Sequence, residues 1–146
     1  MPFKLEYSED KFIDSCYQKG MDVLNDFFGI NWIVNTPHIF IVDKRETFDK
    51  LLNYKTEPWL VGHANNRQIF LLNPNKYETE SNHHFTEKYF FCLIKHELCH
   101  LFFATISKKI KKPLWLNEGV SLFLSGQNEE RKYVPHMFKN FLDFYT

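Results

Sequence analysis

The sequence predicts an α+β fold: a small mixed sheet toward the N-terminus, helices around it, and a helical C-terminal half. Three observations carry this. Short apolar runs bounded by turn residues fall in the first half of the chain. Longer segments with apolar residues three and four apart fill the second half. The length, 146 residues, suits one domain spanning 1–146, with a core that needs no disulfide staple.

Taken in order, Ser8 is the expected cap of a first helix whose apolar positions are Phe12, Ile13, Cys16, Tyr17, Leu24, Phe27 and Phe28, with Gly29 ending it. Ile39 to Val42 reads as a short buried strand. Asp43 and Glu46 suggest a capping box for a helix carrying Phe48, Leu51 and Leu52. A hairpin follows, Trp59 to Ala64 and Gln68 to Leu72, with its turn at Asn65-Asn66. Residues 75–82 are polar and expected to be loop. From about His83 to Thr105 the spacing of Phe90, Phe91, Ile94, Leu98, Leu101 and Phe102 predicts a long core helix. A lysine-rich stretch, 108–112, reads as its solvated end. Pro113 opens another helix, with Leu114, Leu116, Val120, Phe123 and Leu124 apolar and Gly126 ending it. A last helix is expected from about Pro135 to Tyr145.

Composition removes several functional classes. Lys plus Arg equals Asp plus Glu at 18 each, so there is no basic excess to hold nucleic acid or an anionic membrane surface. The 16 Phe, set beside many Lys and Asn, are read as codon bias plus core packing. Three cysteines, Cys16, Cys92 and Cys99, match no zinc-finger spacing and are expected to be free and buried. The first residues lack the apolar core of a signal peptide, and the longest apolar run, Tyr89 to Ile94, is too short to span a bilayer. The expectation is a cytoplasmic protein without membrane partners.

Chemistry concentrates in His96-Glu97-Leu98-Cys99-His100. On a helix, positions i and i+4 point the same way, so both imidazoles can ligate one Zn2+ through bonds of about 2.0–2.1 Å. Glu97 then reaches a metal-activated water without binding the metal. Seven His and 11 Glu in 146 residues would supply this pattern by chance roughly 0.03 times. A catalytic zinc needs three protein ligands. Trp115-Leu116-Asn117-Glu118-Gly119 places a carboxylate 18 positions after His100, in the next helix.

His96-Glu-x-x-His100 followed by Asn117-Glu118-Gly119 resembles the gluzincin zinc metallopeptidases, specifically minimal single-domain members and the catalytic core of aminopeptidase-like ones. The specific resemblance covers about residues 60 to 126. It implies a zincin-like fold with an active-site helix and a glutamate helix in the C-terminal half. It also implies one Zn2+ per chain held by His96, His100 and Glu118, with Glu97 as the general base. The implied substrate is a peptide or protein, held extended along an edge strand above the metal. Val61 to Ala64 is similar to that strand, which makes Gly62, His63 and Ala64 substrate-binding candidates. Residues 101–117 contain neither Tyr nor His, and Leu122 stands four after Glu118, so the thermolysin-like branch is the poorer match. Tyr133 and His136, downstream, are the candidates for stabilising the oxyanion. The alternative is a catalytically weak zinc-binding sensor or scaffold of the same fold.

Overall fold

The computed structural model describes residues 6–7, 10–107 and 114–126. Among these the elements run β1 (Glu6–Tyr7), α1 (Lys11–Phe28), β2 (His38–Val42), α2 (Arg45–Leu52), β3 (Gly62–Asn65), β4 (Gln68–Leu72), α3 (Tyr77–Glu80), α4 (Glu87–Ile106) and α5 (Leu114–Ser125). The class is α+β, as expected. The sheet has the order β1-β2-β4-β3 and is mixed: β2 and β4 are parallel, and each pairs antiparallel with its outer neighbour. The strand β1 was not anticipated, because two residues give no periodicity to read.

Several local expectations need correction. The cap of α1 is Asp10, whose carboxylate accepts from the backbone N–H of Phe12 and Ile13. Such a cap contributes about 1 kcal/mol. The proposed box of Asp43 and Glu46 does not form. Asp43 accepts from Asn73 instead, and Glu46 pairs with Lys50 along α2. The first N–H of α2, from Arg45, is capped by Glu80, 35 residues away, at 2.9 Å. The hairpin turn is one residue later than expected, at Asn66-Arg67, and β3 begins only at Gly62. Only Ser81 and Asn82 of 75–82 are irregular: a 3-10 turn, Pro74–Lys76, leads into the single turn of α3, and Tyr77 is buried. The long helix starts at Glu87, where the Thr86 hydroxyl accepts from Tyr89 N–H. The lysine-rich stretch and the helix expected at 135–145 lie outside the described residues.

The core forms where α4 packs under the sheet. Ile69 and Leu71 of β4 are buried, together with Ile94, Leu98, Cys99 and Phe102 of α4. On its other side α4 meets α1 closely. A Cβ at Gly20 would lie 2.9 Å from Leu98 Cδ1, so any larger residue would have to push that side chain aside at this close helix approach. Stacked pairs Phe12–Phe90 and Phe28–Phe102 extend the same interface. By length and a mean hydropathy of 1.3, α4 is apolar enough to cross a membrane, which the short uninterrupted apolar run did not reveal. In this fold it is the central core helix. All three cysteines are free and buried, as expected.

Between α2 and β3 the chain has no regular structure, and Arg45 holds it. The guanidinium donates to the carbonyls of Leu60 at 2.6 Å, Pro58 at 3.3 Å and Glu80 at 2.5 Å. It also lies over the Phe48 ring, 5.6 Å from the centroid. His83 ties the intervening Trp59 carbonyl at 3.0 Å. Three consecutive carbonyls are thus bound by side chains from elsewhere. Arg45→Met keeps the aliphatic bulk but removes the donor to the Leu60 and Glu80 carbonyls, so thermal unfolding should show a loss of about 2 kcal/mol, whereas an unchanged melting point would mean the loop is held by other contacts.

Candidate metal centre

Glu97 and His96 lie in the middle of a helix that is otherwise apolar on its buried side; they are only 6% and 9% exposed. Helical spacing sets His96 and His100 on one face, with their Nε2 atoms 3.0 Å apart. The helix α5 runs alongside α4 and delivers Glu118. One of its oxygens is 3.1 Å from His100 Nε2, the other 3.6 Å from His96 Nε2. These three residues form a group that can hold a metal ion. Two ligands on a tetrahedral zinc with bonds near 2.0–2.1 Å sit roughly 3.3–3.5 Å apart, and the observed separations bracket that value. Two nitrogens and one carboxylate oxygen are also the donor set a borderline-soft divalent ion prefers.

No family model, curated protein or solved structure matched this chain in comparison. The site is therefore read from its own geometry.

That geometry extends past the three donors. His100 Nδ1 donates to Asn117 Oδ1 at 2.8 Å, and Ser121 Oγ lies 3.2 Å from the same nitrogen. A proton fixed on Nδ1 leaves the Nε2 lone pair facing Glu118 and His96, which is the tautomer a metal requires. Sequence reasoning missed both partners. The available signal was spacing: Asn117 and Ser121 are four apart on α5 and so share a face. Ser121 also hydrogen-bonds the Cys99 thiol, which burial raises to a pKa of about 11. Cys99 is therefore an inert packing thiol, as expected. His96 Nδ1 is buried and has no hydrogen-bond partner among the described residues.

The charges are coupled. Hydrogen bonds from His100 and His96 hold the Glu118 carboxyl well below the usual carboxylate range. Burial acts to lower the pKa of His100, but the bond to Glu118 and the neighbouring Glu97 charge outweigh it, so the net shift is upward. Burial pushes the Glu97 carboxyl up, with the two imidazoles acting in the opposite direction.

The strand β3 is a sheet edge among the described residues, and it lies over α4 beside these groups. A Cβ at Gly62 would lie 3.0 Å from Glu97 Oε1 and 3.1 Å from Leu93 Cδ1. Glycine at this position gives Glu97 its room. The Leu72 N–H to Val61 O bond, 2.9 Å, together with the register His63↔Phe70, turns the backbone groups of Val61, His63 and Asn65 toward β4. Gly62 and Ala64 therefore present theirs outward. Alternation places Gly62 and Ala64 on the α4 side and the His63 side chain on the reverse face. His63 still borders the cleft, and burial, with the charge on His100, lowers its pKa. The cleft along this edge measures about 1260 Å³ and is bordered by Gly62, His63, Ala64, His96, Glu97, His100 and Glu118. Tyr133 and His136 lie outside the described residues.

Metal binding here competes with protonation of His100, whose pKa is raised, whereas the Glu118 carboxyl is held well below the usual carboxylate range. Apparent affinity should therefore fall as pH drops through the neutral range, by about tenfold per unit for each proton displaced. Calorimetric titration with Zn2+ at several pH values tests this. His96→Ala should lose stoichiometric binding, and equal zinc in both proteins would refute the assignment.

Proposed function

We propose that this protein is a zinc-dependent metallopeptidase of the gluzincin type, with a zincin-like fold. One observation carries the reading: Glu97 is buried beside the three-donor group, is not itself one of the donors, and lies directly beneath an open strand edge. A structural metal site has no use for such a carboxylate, and burying it costs stability. A hydrolytic site needs it as a proton acceptor.

When bound at His96, His100 and Glu118, zinc would polarise a peptide carbonyl and activate a water molecule at neutral pH. The chain supplies the remaining parts. Glu97 accepts a proton from the attacking water and delivers it to the leaving amine nitrogen. Its raised pKa brings it closer to the neutral pH at which a general base works best. The outward N–H and C=O groups of Gly62 and Ala64 can hold a peptide in extended form by adding a strand to the sheet. Asn117 and Ser121 keep His100 in its required tautomer.

The rival reading is a zinc-binding sensor or scaffold with little or no catalysis. The two diverge at Glu97. Glu97→Gln preserves shape and metal but removes the proton acceptor, so peptide hydrolysis should drop by about 10²–10⁴ with zinc content unchanged. Wild-type protein that binds zinc and cleaves nothing in a peptide library would favour the rival. Gly62→Ala is the second test. Its Cβ must displace Glu97 Oε1, so kcat should fall about tenfold, in the manner of a small misplacement of a reacting group. A wild-type kcat would show that Glu97 has slack the structure does not indicate.

A further inference from the structure

Arg67 occupies a backbone position that disfavours it. Asn66 and Arg67 form the two-residue turn between β3 and β4 with φ of 50° and 62°. Asparagine tolerates this left-handed conformation, but the second position is one where glycine is strongly preferred. The residue is nevertheless pinned, since its carbonyl accepts from His38 N–H at 3.0 Å. Strained residues of this kind concentrate at binding sites, where the side chain is needed.

The side chain has such a place. Arg67 borders the cleft, and it is the only Lys or Arg to do so among the described residues. The carboxylates bordering the cleft are Glu97 and Glu118, both committed to the metal centre. Among the described residues Arg67 forms no ion pair. Distance along the strand fixes what it can read. Gly62 abuts Glu97, so the bond to be cleaved lies opposite that end of β3. Asn65 is three residues on, about 10 Å away, and the turn carries Arg67 just beyond it. A peptide adding antiparallel, the more stable mode, runs from the turn toward Gly62. Its residues before the cleaved bond therefore face Arg67.

On the peptidase reading proposed above, we infer that Arg67 selects substrates by pairing with a carboxylate carried about three residues before the cleaved bond, which makes the protein an endopeptidase for acidic segments. An aminopeptidase would instead require an uncommitted anion near the metal to hold the terminal ammonium, and the described cleft offers none. A peptide bound in the parallel sense could present its C-terminal carboxylate to the same guanidinium, so the test separates the two sources.

The experiment uses zinc-loaded protein and internally quenched peptides of one cleaved sequence, with Glu, Gln or Lys three residues before the cut. Each is made with a free and an amidated C-terminus. Wild type should favour Glu over Lys by at least tenfold in kcat/KM, and Arg67→Glu should reverse the order. Arg67→Gly should erase the preference while melting at or above the wild-type temperature, because glycine relieves the backbone strain. Loss of preference on amidation, rather than on Glu-to-Gln exchange in the peptide, would overturn the endopeptidase assignment. Equal hydrolysis of all peptides overturns the inference and leaves the peptidase reading standing. If no peptide is hydrolysed, that reading fails. Fluorescence anisotropy of the Glu and Lys peptides on Glu97→Gln then decides the role of Arg67 separately: selective binding supports it and equal binding refutes it.

Discussion

The structure depends on keeping two imidazoles and the Glu97 carboxylate within an apolar helix pair, with the half-exposed Glu118 at its edge. Water would solvate these groups at no cost, whereas the interior of α4 does not. Glu118 balances the imidazoles of His96 and His100, and Asn117 and Ser121 absorb the remaining donor of His100. All three of these partners come from α5. The docking of α5 on α4 is thus an electrostatic requirement as much as a hydrophobic one. Glu97 is the carboxylate that burial penalises most. It is buried and held next to another carboxylate, which is a poor choice for stability and a reasonable one for proton transfer.

The second requirement is that a strand edge come to rest above those groups without crowding them. Two glycines provide the clearance. Gly20 lets α1 close against α4, and Gly62 lets β3 lie against Glu97. The irregular stretch before β3 is positioned by Arg45, whose guanidinium reaches carbonyls on both sides of the chain reversal, and by His83. Trp59, 60% exposed, is held at the mouth of the cleft by this same set of bonds. A loop with so many of its carbonyls tied is a stable wall, and that stability lets the strand edge keep its register beside Glu97.

Local errors in the sequence reading share one cause. The capping box at Asp43 and Glu46 failed because Glu80, distant in sequence, reached the same helix end first. The hairpin turn falls at Asn66-Arg67 rather than Asn65-Asn66 because the strand register pairs Asn65 with Gln68, which imposes a left-handed conformation on Arg67 that its side chain disfavours. Residues 75–82 were read as loop because a polar surface was all the sequence displayed. Burial of Tyr77 against Phe85 and the core gives the short helix its reason to form. In each case a long-range contact outweighed a local preference worth about 1 kcal/mol or less.

By itself the sequence determined the α+β class, the long core helix, the free cysteines and the donor set His96, His100 and Glu118. These follow from residue type and helical period, which act over a few neighbours and so remain readable in one dimension. Tertiary structure decided what the period cannot carry. It turned Asn117 and Ser121 onto His100, opened the space at Gly62 that Glu97 occupies, and set the backbone of Gly62 and Ala64 outward at the sheet edge. It also brought Arg67 to the end of the cleft. Each of these depends on the separation of two elements to within an ångström. That separation is set by how side chains far apart in the sequence pack together, a sum over the whole core that no local pattern records.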